Sequence, residues 1–228
     1  MSGKIGVVIL SPTGQSDGSL MRRAINYIKK QTIADEIAIT IAESDPTEFA
    51  SEINFALEDD VLADSEYIIF HEFSNFWEMN GMERIRGAIE AEYPFVWGLF
   101  MPSFVVDEAG KVIVASDPID GLTAERVTGQ MEFTKMTGNT VNLSAAIVRT
   151  KALRTVEAKD GYILDEKLKF HWDWDLWLRF LKYGGKMVFK EGEPVSNWFD
   201  GPFAFHKHPL FFLYKQMVYS RIRAGFYD

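Results

Sequence analysis

Residues 4–14 read KIGVVILSPTG, and the fold turns on them. Ile5 to Leu10 is a continuous apolar run, β-branched in part, as in a strand covered on both faces; Ser11-Pro12-Thr13-Gly14 breaks it. Downstream, Ser19 is placed to cap a helix with Leu20, Ala24, Ile25 and Ile28 as its apolar stripe and Arg22, Arg23, Lys29 and Lys30 on its wet face. A second strand is expected over Glu36–Ala42, a helix from Pro46 to Leu57, and a third strand over Tyr67–Phe70. This β-α-β-α-β order with short connections predicts a parallel sheet covered by helices. Ligands of such sheets bind beyond the carboxyl ends of the strands, which singles out Pro12–Gln15, Glu43–Asp45 and His71–Asn75.

The second informative stretch is KFHWDWDLWLRFLKYGGK, Lys169–Lys186. Leu176, Phe180 and Tyr183 recur at helical spacing with Arg179 and Lys182 between them, and Gly184-Gly185 ends the pattern. Asp173 and Asp175 lie at the start of this helix inside a run of tryptophans, where a charge is costly to bury without a partner or a task. Taken alone, the pair reads equally well as first-turn acids complementing the helix dipole or as chemical groups.

Composition narrows the classes. With 228 residues and nearly half the chain apolar, one large domain is expected. A net charge of −9 argues against a broad surface for duplex nucleic acid. Without cysteine there is no disulfide framework, thiolate nucleophile or cysteine-ligated zinc. MSGKIGVVILS lacks the apolar core and cleavage site of a signal peptide, and no later run approaches the length of a membrane span, so a soluble, cytoplasmic chain is expected.

The middle of the chain offers YPFVWGLFMPSFVV, a buried strand running into a second, and VVDEAGKVIVA, a hairpin with its turn at Asp107–Gly110. Ser116–Gly138 is polar and shows no convincing period; NTVNLSAAIV returns to strand character before Arg149 and a short helix. Trp97, Phe100 and Met101 offer a ligand-stacking platform or, more commonly, core. After a strand at Lys186–Lys190, Gly201, Pro202 and Pro209 break a loop that carries His206, Lys207 and His208, a surface turn or a basic cluster. Two histidines at this spacing lack the further ligands of a zinc site. The last helix, Pro209–Arg223, has an apolar surface wide enough to dock on its own domain, on another subunit or on a membrane surface.

Three segments resemble the family 2 glycosyltransferases. LMRRAINYIKKQTIADEIAIT looks like that family's opening helix and second strand. ADSEYIIFHEFSNFWEMNGMERI is similar to the segment in which a strand ends in an Asp-x-Asp-Asp motif and a Trp, and HWDWDLWLRFLKYGGKM to its acidic Asp-Trp-Asp-Leu-Trp-Leu-Arg element. The resemblance implies a single GT-A-like α/β domain: a Rossmann-like, mostly parallel central sheet flanked by helices, with a small hairpin or acceptor-side excursion. Residues 1–92 would form its nucleotide-sugar-binding half, and residues 93–228 its acceptor-side half with a C-terminal loop and helix.

It further implies transfer of a sugar from a nucleotide-sugar donor, a UDP-sugar as the family prior, to a hydroxyl of a glycan or other acceptor. Asp173 matches the general base of an inverting displacement, and Asp175 falls to the scaffold. Pro12, Thr13, Glu43, Glu72, Ser74 and the His206-Lys207-His208 cluster fall near the donor. Two departures stand out. Trp172 replaces the usual Glu, and at the third strand end the family's metal-handling acids give way to Glu72, Phe73, Ser74 and Asn75. Glu72 and Asn75 are what remains to hold Mn²⁺ or Mg²⁺, a thin donor set for a hard cation. The other reading is therefore a non-catalytic nucleotide- or glycan-binding protein of the same fold. Nucleotidyl transfer is weaker, since no glycine-rich phosphate loop with a following basic residue succeeds the first strand.

Overall fold

The computed structural model describes residues 3–16, 18–107, 111–116, 122–127, 130–136, 142–199 and 208–228. The first third alternates as expected: β1 (Ile5–Pro12), α1 (Ser19–Lys29), β2 (Ile37–Ser44), α2 (Phe49–Ala56) and β3 (Tyr67–Glu72). Then come β4 (Phe76–Trp77), α3 (Gly81–Glu90), β5 (Val96–Phe100), β6 (Ser103–Val106) and β7 (Val112–Ser116). The rest comprises β8 (Leu122–Val127), β9 (Gln130–Met136), β10 (Ala146–Arg149), α4 (Thr150–Asp160), α5 (Trp172–Lys182), β11 (Lys186–Lys190), β12 (Ser196–Phe199) and α6 (Phe211–Arg223).

The chain forms a single α/β domain whose central sheet runs β2-β1-β3-β10-β5-β11-β9-β8. β1 is parallel to both β2 and β3, and β5 to β11, while β10 and β9 are antiparallel to their neighbours. Alternation along the strands assigns each face of the sheet its own core. Val8, Leu10, Ile68 and Phe70 pack with residues of α2, α4 and α5 and with Val218 of α6. Val7, Ile9 and Ile69 point the other way, onto Met21 and Ile28 of α1 and Met82, Ile85 and Ile89 of α3. A second, four-stranded sheet, β4-β12-β6-β7, stands beside the first.

Several expectations shift. α1 begins at Ser19, but the cap position is Gly18 and no side chain caps it. β2 runs later than expected, because Ala34–Glu36 form a 3-10 turn. Arg23 is half-buried rather than wet: its guanidinium lies 4.8 Å from the Phe76 ring and 5.5 Å from that of Phe199. Within 116–138, where no period was legible, β8 and β9 form a hairpin that joins the central sheet through β11. The helix after Arg149 is not short, with 11 residues. Phe100 and Met101 belong to the core, while Trp97 packs edge-on against Phe180. The hairpin expected at Asp107–Gly110 is present as β6 and β7, although residues 108–110 lie outside the described set. Among the described residues, no helix is long and apolar enough to cross a membrane.

Candidate active site at the strand ends

Parallel pairing brings the carboxyl ends of β1, β2 and β3 side by side: Pro12 opposite Ser44, Ser11 opposite Glu43, and Leu10 between Ala42 and Glu72. The loop after β1 is fastened to β2. Thr13 N–H donates to the Ser44 carbonyl at 3.0 Å, and Gly14 N–H to Glu43 Oε1 at 2.7 Å. A hydrogen bond from Ser16 and that from Gly14 lower the Glu43 pKa. Glu43 therefore acts as an anionic clasp that fixes the loop holding Thr13.

At the end of β3, Ser144 organises the turn. Its Oγ accepts from Glu72 N–H at 3.3 Å and from Asn75 Nδ2 at 3.0 Å, and Asn75 Oδ1 accepts from Phe199 N–H at 2.9 Å. His71 lies beneath, fully buried, with Nδ1 accepting from Trp77 Nε1 at 3.1 Å and Nε2 donating to the Asn75 carbonyl at 3.2 Å. Burial pushes its pKa down to about 4, so it is a neutral, tautomer-fixed support. Ser74 is buried, and its carbonyl accepts from Arg23 Nη2 at 3.0 Å.

α5 delivers the acid. Every residue from Trp172 to Phe180 is buried, and Trp172 meets Phe70 of β3 edge-on at 5.8 Å, which docks the first turn of α5 on the end of β3. The residue before the helix, His171, adopts φ 61°, a left-handed conformation costly for a side chain of this size. Contacts hold it: its ring lies 4.1 Å from that of Phe211, and Nε2 bonds the Phe211 carbonyl at 3.2 Å. Asp173, 8% exposed, faces Glu72 closely enough that the two charges interact. Burial, then repulsion from Asp173, pushes the Glu72 carboxyl up to about 7, against a weaker opposing bond from Asn75.

Asp175, two residues along, is wholly enclosed. It accepts from Arg179 Nε at 2.8 Å, Arg221 Nη1 at 2.8 Å and the Tyr227 hydroxyl at 2.5 Å, while Arg221 Nη2 reaches Asp165 at 2.5 Å. The second acid thus bolts α6 and the chain after it to the helix that carries Asp173.

Thr13, Glu43, Glu72, Asn75 and Asp173 thus line one edge of the sheet. His208 joins them from the C-terminal side, its ring 4.7 Å from Phe170 and close enough to Asp45 to help lower that pKa, after the larger effect of hydrogen bonds from Thr47. His206 and Lys207 lie outside the described residues. Arg23, a half-buried cation whose enclosed Nε has no hydrogen-bond partner among the described residues, is the rim residue that helix periodicity misplaced; the neighbouring aromatic Phe76 was the available signal.

As a cradle for a divalent cation the described residues fit poorly. Asn75 has its oxygen engaged by Phe199 N–H, Glu72 titrates near 7, and no group of three acidic or histidine side chains among the described residues is placed to hold a metal.

No family model and no curated sequence matches the chain. Solved structures do. S. aureus TarS superposes with a TM-score of 0.58 at 12% identity, covering 90% of this chain and 38% of that one. TarS residues 1–349 in complex with UDP give 0.59 at 14% identity, over 87% of this chain and 61% of that one; with UDP-GlcNAc the values are 0.57, 13%, 90% and 61%. The chain therefore spans less than two thirds of the length of these structures. At such identities what is shared is the fold: this chain adopts the α/β architecture of TarS.

Proposed function

We propose that the chain is a glycosyltransferase that moves a sugar from a nucleotide-sugar donor to a hydroxyl of a glycan or other acceptor. The observation that carries this reading is the placement of Asp173. It is a nearly buried carboxylate at the start of α5, set beside the β3 end in a fold whose TarS counterparts hold UDP and UDP-GlcNAc. A UDP-sugar is the donor class this favours, bound by the 1–92 half around Pro12, Thr13, Glu43, Glu72 and Ser74, with His206, Lys207 and His208 toward the phosphates. The 93–228 half supplies the acceptor side.

In this reading Asp173 takes the acceptor proton as the hydroxyl oxygen bonds to the anomeric carbon. The bond from that carbon to the diphosphate breaks on the opposite face, and the configuration inverts. Glu72, close to Asp173 and protonated over part of the neutral range, limits the charge that gathers beside the base. With no complete metal cradle among the described residues, cationic side chains are assigned the departing diphosphate.

The incomplete donor set at Glu72 and Asn75 favours a second reading, a nucleotide- or glycan-binding protein without turnover. One experiment separates the two: calorimetry with UDP and UDP-GlcNAc, followed by donor hydrolysis with and without Mn²⁺. Binding with hydrolysis supports the enzyme, binding alone supports the second reading, and binding of neither ligand removes the UDP-sugar enzyme and the UDP-binding form of the second reading.

A further inference from the structure

We infer that the exposed face of α6 is a docking surface for an anionic lipid bilayer. The chain has 33 acidic residues, yet residues 201–227 contain none, while they carry Lys207, Lys215, Arg221 and Arg223. In a protein of net charge −9, such an acid-free segment can meet an anionic surface without repulsion from its own side chains.

The helix has two distinct sides. Val218 is fully buried, with Tyr214, Tyr219 and Ile222 packed on the core, and Arg221 is held by Asp165 and Asp175. On the other side Leu210, Leu213 and Met217 recur at positions i, i+3 and i+7, exposed by 40%, 55% and 36%, and Phe212 beside them is 66% exposed. Arg223 is exposed and Lys215 half-buried; helical spacing puts both on the Phe212 side of this face, and neither has an ion pair among the described residues. Large apolar side chains in water beside unneutralised cations on one short helix are the makings of an interfacial contact.

A second copy of the chain suits the face less well. Isologous packing of α6 on itself would bring Lys215 and Arg223 toward their own counterparts, with no acidic residue on the helix to answer them. A bilayer bearing negative headgroups answers both the apolar stripe and the cations. The geometry also orients the molecule, since the start of α6 packs on Phe170 and His171, immediately before the turn that carries Asp173. Docking therefore sets the strand-end site beside the membrane. This inference does not depend on the reaction assigned to that site.

The test is cosedimentation of the full chain with phosphatidylcholine vesicles, with and without phosphatidylglycerol, at low and near-physiological salt. Binding is expected to the phosphatidylglycerol vesicles and to weaken with salt. K215Q/R223Q should lower the partition about 25-fold, from the usual contribution of each basic residue near such a surface. L213E/M217E should abolish it while leaving the thermal unfolding profile and UDP affinity as in the parent. No binding to the anionic vesicles overturns the inference, as does equal binding of L213E/M217E. A dimer in analytical ultracentrifugation that L213E/M217E dissolves, without vesicle binding, overturns it in favour of self-association.

Discussion

Replacing Glu72 with Gln tests the electrostatics of the site without touching its shape. Raising a carboxyl from its ordinary 4.5 to about 7 corresponds to about 3 kcal/mol between its protonation states. The unfolded chain gives up this proton near 4.5 and the folded chain keeps it to about 7, so the folded state binds more protons between these values. The associated stability is fully present below about 4.5, declines as pH rises, and is lost above about 7. Glutamine carries no charge at any of these values. E72Q should match the parent at the acidic end and exceed it at mildly alkaline pH by about 2 kcal/mol once the partial exposure of Glu72 is discounted, or about 4–8 °C in Tm for a chain of this size. Thermal unfolding of both proteins across that range is the assay. Curves that run parallel from acid to alkaline pH would refute the reasoning, because they would mean that Glu72 is ionised at no cost beside Asp173.

Two of the remaining predictions concern the helix that carries Asp173 and its support, and one concerns α3. D173N should lower kcat by about 100-fold or more with donor affinity preserved in calorimetry, and a fully active variant removes the base assignment. D175A leaves Arg179 and Arg221 without their shared carboxylate and should destabilise the fold by about 3–5 kcal/mol in urea titration; a loss below 1 kcal/mol would mean the network is not holding α6. G81A would place its Cβ 2.2 Å from the Val195 carbonyl oxygen, so α3 must move away from the strand that follows; a cost of about 1–3 kcal/mol is expected, and an unchanged Tm would contradict the contact.

Legibility in the sequence followed the strength of local pattern. Ile5–Leu10 announced itself because burial on both faces leaves an unbroken apolar run, Trp172–Lys182 through the helical spacing of Leu176, Phe180 and Tyr183, and Gly184, at φ 82°, marks the helix end as its residue type suggested. The β8–β9 hairpin was hidden because it depends on pairing with β11, a partner more than fifty residues away for much of its length, and not on its own alternation. α3 went unread for a related reason: its stripe of Met82, Ile85 and Ile89 is interrupted by Arg86, a buried arginine whose charge is answered by Glu36 at 2.9 Å. At the candidate site the strand ends followed from β-α-β order, whereas the closeness of Glu72 to Asp173 joins residues a hundred positions apart and appears only in the folded chain. Arg23 was misplaced because helical periodicity counts an arginine as wet, and only Phe76 and Phe199 closing over it say otherwise.

The bonds from Asp175 to Arg221 and Tyr227 also set an order of events during synthesis. They reach 46 and 52 residues down the chain, so when α5 has left the ribosome its buried carboxylate still lacks two of its three partners. The helix bearing Asp173 cannot settle on β3 with that charge answered until residue 227 has been made. The strand-end site is thus completed only once α6 has emerged, and a nascent chain stopped short of α6 would hold β1, β2 and β3 without Asp173 seated beside them.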